Sequence, residues 1–470
     1  MSSDTVDLCV IGAGSAGLSV AAVAAQLGVR TVLIERGEMG GECLNTGCVP
    51  SKALLAAAHA AQAIRTSTRF GIVAAPPAVD FAAVRRHVQG VIKAIAPHDS
   101  AERFEGLGVE VLRAEARFIG VRQLAVGNRR IAARRVVIAT GSEPVIPPIP
   151  GLSGMPYLTN ETIFELEELP SHLLIIGAGP IGLELAQAFR RLGSAVTIVE
   201  AATAIPHDDP ELARSLVQML QAEGIVLHEG RKITAVERGT AGIALTAEGR
   251  RIEGSHLLVA AGRKPRVETL DLDRAGVAHT PQGVTVDRRL RTSASGVYAI
   301  GDVTVGPRFT HAASYQAGIV IRNALFRLPA KVNYTALPWV TYTEPELAQA
   351  GLTEPDARRQ YGDGITITRF AMAGNDRAQA ERATEGLIKV VARNNGRIVG
   401  ASILGAHAGE LIHLWALAIG QRLKVKHVAG MIAPYPTLGE IGKSAAAEFY
   451  KSALFSPWTR RAVRLLSRLP

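Results

Sequence analysis

Two stretches of the chain carry the same hydrophobic pattern 165 residues apart. The first, DLCVIGAGSAGLSVAAVAAQLGVRTVLIE, ends at Glu35, and the second, HLLIIGAGPIGLELAQAFRRLGSAVTIVE, ends at Glu200. Each opens with a short, unbroken apolar run, as a fully buried strand does. A glycine-rich turn follows, then an Ala- and Leu-rich helical segment, then a second apolar strand closed by an acid. Strands alternating with helices in this way predict an α/β fold built on parallel sheets.

The repeated turn has a specific chemistry. Gly12, Gly14, Gly17 and Glu35 map onto Gly177, Gly179, Gly182 and Glu200. In such a unit the first glycine allows the tight turn, the second lets backbone approach a pyrophosphate, and the third lets helix pack on strand. The helix N-terminus offers N–H donors to the phosphates, and the acid accepts from a ribose diol. Two complete copies predict two Rossmann-type dinucleotide sites. At the second site Glu200 repels a 2′-phosphate. Ala201, Ala202 and Thr203 supply no arginine to hold one, so NAD(H) is expected over NADP(H).

Between the first repeat and residue 60 lies GGECLNTGCVPSKALLAAA. The spacing of Cys43 and Cys48 is neither a zinc pair nor a thioredoxin CxxC. The third cysteine, Cys9, falls inside the first strand as a small core residue. No four-cysteine zinc site can form. A helix beginning near Cys48 would bring the two sulfurs close and set Lys52 on the same face.

GGECLNTGCVPSK is similar to the redox-active disulfide motif of the class I pyridine nucleotide-disulfide oxidoreductases, which include dihydrolipoamide dehydrogenase, glutathione reductase and mercuric reductase. The resemblance extends over nearly the whole chain. VVIATG (136–141) looks like the strand that closes the first nucleotide domain, and LLVAAGRKP (257–265) its counterpart in the second. GVYAIGDV (296–303) resembles the motif whose Asp, here Asp302, holds the flavin ribitol, and PWVTYTEPELAQAGLTE (338–354) the opening of the dimerisation domain. The resemblance implies FAD in the first site and NAD(H) in the second. It implies an FAD-binding domain over 1–150 and 269–335, interrupted by an NAD-binding domain over 151–268. An α+β dimerisation domain over 336–450 and a basic tail over 451–470 complete the chain. It implies a homodimer that completes the active site.

The same resemblance assigns roles. Electrons would pass from nicotinamide through flavin to a Cys43–Cys48 disulfide, with Cys48 facing the flavin and Cys43 as the outer thiol. Lys52 would lie near the flavin, paired with Glu184; a lysine there stabilises an anion on the flavin and a Cys48 thiolate. FAD contacts are expected from Gly12, Gly14, Ser15, Ala16, Gly17, Glu35, Gly40, Gly41, Lys52, Ala116, Thr140, Gly141 and Asp302. NAD contacts are expected from Gly177, Gly179, Ile181, Gly182, Glu200 and Gly262. His311, just after the flavin aspartate, is read as structural.

Two positions depart from the pattern. Relatives carry a small hydroxyl residue before the first cysteine; here it is Glu42, which cannot donate to a phosphate when ionised and is expected to point away. Relatives acting on dithiols carry a histidine as general acid-base near the C-terminus. The matching segment here is APYPTLGE, with Tyr435 in the histidine's place and Glu440 keeping the acid. A phenol is a poor base at neutral pH, which speaks against efficient use of lipoamide or glutathione. His407, His413 and His427 are expected on helix surfaces or at an interface. No cysteine follows Cys48, so a metal-ion substrate would have Cys43, Cys48 and Tyr435; no resident metal is expected. The acceptor is therefore expected to be a disulfide or a thiol-binding metal ion. A quinone reduced at the membrane surface, or a slow flavoprotein acting as a binding subunit, are the competing readings.

Composition narrows the picture. Aromatic residues are 5%, too few for base-stacking platforms. The net charge is +10, but outside the tail the arginine pairs are scattered, which argues against nucleic acid. Three cysteines build no extracellular disulfide framework, no apolar run spans a membrane, and the N-terminus lacks a signal-peptide pattern. A cytoplasmic protein is expected. The last 20 residues hold five basic residues and no acid. In helical projection Trp458, Ala462, Leu465, Leu466 and Leu469 share one face and Arg460, Arg461, Arg464 and Arg468 the other. That is the pattern of a membrane-surface helix or of a face packed on the subunit or its dimer mate, and it raises a peripheral contact with the inner face of the membrane.

Overall fold

A computed structural model describes residues 4–469. The chain forms two compact units. One comprises the residues up to Ala201 with Leu227–Val332, the other Ala202–Val226 with the chain from Asn333 onward.

The first unit holds the repeat. Strands Val109–Arg113, Thr31–Glu35, Asp4–Ile11 and Arg129–Ile138 lie side by side in that order, all parallel, with Val10 opposite both Leu33 and Val137. A late strand, Val297–Ala299, joins the same sheet in parallel on Arg129–Ile138. Leu8, Cys9, Val10, Leu33 and Val136 are fully buried, as the unbroken apolar runs require. The register brings three chain segments to one end of the sheet: the Gly12 turn, Ala139–Gly141, and Gly301–Asp302. Ligands bind outside the carboxyl ends of strands in such sheets.

The second copy repeats the arrangement. His172–Ile176 pairs in parallel with Ala195–Val199 and with His256–Val259. The helix between them, Pro180–Leu192, begins with proline at its first position and stops at Gly193, as these residues favour. Beside it packs helix Cys48–Arg65, whose Ala53, Leu54, Leu55, Ala58 and Ala61 are buried.

The second unit is an antiparallel sheet of five strands, ordered Pro338–Thr341, Glu346–Gly351, Ile398–Gly405, Leu387–Arg393, Ile365–Ala371. Helices Ala408–Gly420 and Glu440–Leu454 cover it, with Trp415 at the centre of the core. A charge cluster is buried in this unit. Lys389 Nζ lies 2.7 Å from Asp209, 2.6 Å from Glu211 and 3.2 Å from Glu354. Burial works against the Lys389 ammonium, but its hydrogen bonds to Asp209 and Glu211 hold its pKa above the ordinary value. Arg369 holds Glu211 down to about 2, against burial and with help from Lys389. The chain ends in helix Pro457–Leu466, capped by Ser456, with no buried residue.

Candidate active site

The two glycine turns are built alike. Gly12 and Gly177 both have φ +104°, where an L side chain is strained, and a Cβ on either would strike backbone after the neighbouring strand, at Ala139 or Ala260. Gly17 and Gly182 let their helices press on the carbonyls of Gly12 and Gly177. Gly14 and Gly179 differ: at Gly14 the nearest neighbour of such a Cβ is Gly41, at 3.9 Å, and at Gly179 nothing lies within 4 Å. Neither helix N-terminus has a side-chain cap. Open backbone before uncapped N–H groups is the cradle a pyrophosphate needs, so both sites fit a dinucleotide.

The other expected FAD residues converge on the first turn. Gly14 bridges Gly40, and Gly40 N donates to Ala13 O at 2.9 Å. A Cβ on Gly41 would meet Gly14. Glu35 accepts from Ala13 N at 2.6 Å and from Gly37 N at 2.7 Å. Ala16 lies against Gly301. Thr140 donates to Arg266 O at 2.8 Å beside the positive-φ Gly141. Asp302 Oδ2 accepts from Ser142 Oγ at 2.8 Å. Ala116 is buried in a hairpin strand, two residues past Ala114, whose N–H reaches Glu35 O. At the second turn Glu200 accepts from Ala178 N at 2.8 Å. Ile181 is half-buried in the first helical turn, and Gly262 has φ +110°.

The cysteines sit where one short helix ends and a longer one begins. Gly41–Asn45 forms a helix the sequence did not suggest, and Cys48 opens helix Cys48–Arg65. Both cysteines are thiols, Cys43 half-buried and Cys48 exposed. Their sulfurs share a hydrogen bond. Donation from Cys43 brings the Cys48 thiol down to about 6, against burial, with help from Thr310 and the Lys52 charge. The same bond, together with burial, pushes Cys43 up. Within the reduced pair the thiolate is therefore favoured on Cys48 over Cys43. Thr310 Oγ1 lies 3.5 Å from Cys48 Sγ, at the start of helix Thr310–Ala324. Lys52 Nζ lies 2.7 Å from Glu184 Oε2, whose side chain is 7% exposed. His311, beside Thr310, stacks on Phe309 at 5.3 Å.

Glu42 turns to protein partners. It accepts from Asn160 Nδ2 at 2.9 Å and pairs with Arg263. Arg263 Nε also donates to Ser142 Oγ at 2.8 Å, so Glu42, Arg263, Ser142 and Asp302 form one chain of contacts. Burial pushes Glu42 up to about 7, opposed by Arg263 and reinforced by Asp302. Thr310, Arg263, Asn160 and Ser142 were not singled out from sequence. Arg263 stands in the GRKP run and Thr310 beside His311, but neither has a local signal of its partner.

Tyr435 and Glu440 belong to the second unit. Tyr435 is 71% exposed, and its hydroxyl donates to Asp376 Oδ2 at 2.9 Å. That bond raises the phenol's pKa, so Tyr435 is a donor and not a base. Glu440 Oε2 accepts from Thr437 N at 3.3 Å. His407, His413 and His427 are exposed, the last two turned onto local backbone. Among the described residues no cluster of His, Cys, Asp and Glu could hold a metal ion.

Comparison with known proteins agrees with this site. The pyridine nucleotide-disulphide oxidoreductase profile matches residues 6–317, and the family's dimerisation domain matches 337–446. A mercuric reductase from Streptomyces lividans is 38% identical over 458 residues, covering 94% of this chain and 96% of that protein. Dihydrolipoyl dehydrogenase from Bacillus subtilis is 35% identical over 444 residues, covering 92% and 96%. Among solved structures, the Cu(II) complex of the HOCl-induced flavoprotein disulfide reductase RclA from Escherichia coli aligns with a TM-score of 0.86 at 28% identity, covering 94% of this chain and 99% of that one. Two nucleotide cradles, a thiol pair beside a lysine–glutamate bridge and these matches agree: the chain belongs to the FAD- and NAD(P)-dependent pyridine nucleotide-disulphide oxidoreductases.

Proposed function

We propose that the protein oxidises NADH and delivers the electron pair, through Cys43 and Cys48, to a thiol-binding metal ion or a small disulfide. The observation that carries this reading is the geometry of the pair: Cys43 and Cys48 lie where one helix ends and the next begins, Thr310 Oγ1 is 3.5 Å from Cys48 Sγ, and Lys52, one turn on, is bridged to Glu184 at 2.7 Å. Residues 1–150 and 269–335 would hold FAD, 151–268 the nicotinamide, and 336–450 the dimer contact. Bound FAD supplies the chemistry of taking an electron pair from nicotinamide and yielding it to a disulfide.

The chain's residues do the rest. Gly14 and the N-terminus of Ser15–Gln26 would cradle the FAD pyrophosphate, with Glu35 at the ribose and Asp302 at the ribitol. Gly179 and Glu200 would do the same for NADH, and Glu200 would reject a 2′-phosphate. Two electrons and one proton convert the Cys43–Cys48 disulfide to a thiol on Cys43 and a thiolate on Cys48. Lys52 favours the Cys48 thiolate, and Glu184 holds Lys52 in place. With a disulfide acceptor, the Cys43 proton passes to Cys48 as Cys43 attacks one sulfur; the thiolate released takes that proton back from Cys48, and Cys48 then resolves the mixed disulfide, releasing a second thiolate that is protonated by water. With a soft metal ion, Cys43 loses its proton to water on binding and both sulfurs ligate the ion as thiolates; the Cys43–Cys48 disulfide re-forms as its electron pair passes to one ion that accepts two electrons, or to two ions that accept one each.

Tyr435 favours the metal ion. A phenol that donates to Asp376 and titrates above its usual range cannot serve thiol exchange as a general base near pH 7. Mercuric reductase and a Cu(II)-bound reductase stand among the relatives, which supports that preference. The three-cysteine composition supports a reducing, cytoplasmic setting.

The test is NADH oxidation by purified holoenzyme with Hg(II), Cu(II), lipoamide and glutathione disulfide, wild type beside Cys43→Ser. A preferred acceptor that fails with Cys43→Ser supports the reading. An acceptor reduced equally well by the variant overturns it.

A further inference from the structure

We infer that the C-terminal helix Pro457–Leu466 is a docking surface for an anionic lipid bilayer. This goes beyond the redox reading and does not depend on it. The helix lies beyond the matched dimerisation domain, which ends at residue 446.

The observation is an amphipathic helix whose apolar and basic faces are largely exposed among the described residues, with only Thr459 and Ala462 half-buried. No residue of Pro457–Leu466 is buried. Trp458 is 78% exposed, Leu465 68% and Leu466 62%. The turn continues through Leu469, whose N–H reaches Leu466 O at 3.0 Å. Trp458, Ala462, Leu465, Leu466 and Leu469 fall in one arc of the helical projection; Arg460, Arg461, Arg464 and Arg468 fill the opposite one. A ten-residue helix is about 15 Å long. That is too short to cross a bilayer but suited to lying in the plane of its headgroups.

Charge selects the occupant. The helix carries arginines and no acid, and the whole chain is +10. A second copy could cover the apolar arc but would bring further positive charge to the arginines. An anionic bilayer satisfies both faces: Trp458 and the leucines enter the acyl boundary, and the guanidiniums meet lipid phosphates.

The experiment is co-sedimentation of full-length holoenzyme with vesicles of phosphatidylcholine alone or with about one-third phosphatidylglycerol. The wild type is expected to sediment with the anionic vesicles at least about tenfold more than with the neutral ones, and to be released by high salt. Leu465→Ser/Leu466→Ser and Arg460→Glu/Arg464→Glu are each expected to lose that binding while NADH oxidation stays unchanged, which shows the fold intact. Binding that ignores lipid charge, or no binding, overturns the inference. So does a loss of dimer on dilution of these variants with vesicle binding unaltered, which would assign the helix to the partner subunit.

Discussion

Lys52, which follows the first glycine repeat, and Glu184, inside the second, are 132 residues apart, yet their side chains meet at 2.7 Å. Lys52 lies one helical turn past Cys48, and Glu184 is buried in the helix of the second glycine turn. The pair therefore joins the redox helix to the nucleotide helix. Its charges act oppositely on Cys48: Lys52 lowers that thiol's pKa and Glu184 raises it.

Lys52→Met is expected to remove the favourable charge and leave the unfavourable one. The Cys48 pKa, which the Cys43 bond, Thr310 and the Lys52 charge hold below that of an ordinary thiol, should move upward, and acceptor turnover should fall about tenfold or more. Alkylation of the reduced enzyme as a function of pH reads the midpoint. Glu184→Gln is expected to move it the other way.

The Glu42–Arg263 tie gives a pH prediction. Arg263→Gln leaves Glu42 facing Asp302 without its cation, so the Glu42 pKa should rise above about 7. A carboxyl raised in the folded state contributes stability that is present below its unfolded pKa and lost as pH rises through the folded one. The variant should therefore lose thermal stability at about pH 8, by roughly 1–3 kcal/mol, and regain most of it at about pH 5.5. Melting curves at the two pH values decide this. Equal loss at both would show that Arg263 acts by packing alone.

Tyr435→His places a group with a near-neutral pKa in the tyrosine's position. Turnover of lipoamide or glutathione disulfide is expected to rise about tenfold or more. Hg(II)-dependent turnover is expected to change little. Asp376→Asn should return the Tyr435 phenol toward its ordinary pKa without creating disulfide activity. Steady-state kinetics with both acceptor classes measures each effect.

Lys389→Met tests the buried charge cluster of the second unit. It takes the ion pair from the buried Asp209 and leaves Glu211 to Arg369 and Glu354 to Arg369 and Arg358. Removing one partner from a buried ionic group costs about 3–5 kcal/mol. Denaturant unfolding should show a loss of that order, with activity retained in the folded fraction.

Much of this arrangement was legible in the chain. The repeat at an offset of 165 located both glycine turns, and the four-residue step from Cys48 to Lys52 placed them on one helix. Local patterns reveal local geometry because strand burial and helix period are set by near neighbours. What was not legible lies far apart in sequence. Glu42 finds Arg263 across 221 residues, and Cys48 finds Thr310 across 262. Asp376 reaches Tyr435 from 59 residues away. Lys389 sits in a strand that is apolar up to Arg393 at its end, and the acids Asp209, Glu211 and Glu354 explain its burial. No periodicity encodes such pairs. They exist because buried charge requires a partner wherever the fold supplies one.

The most direct test of the central claim counts thiols. Oxidised holoenzyme is mixed anaerobically with excess NADH, and native thiols are alkylated with iodoacetamide and counted by mass. Cys9 is fully buried, and burial raises its thiol to about 12, so it should stay silent. Two new reactive thiols per subunit are expected in the wild type and none in Cys43→Ser. NADH consumption coupled to an acceptor with no new thiols would contradict it.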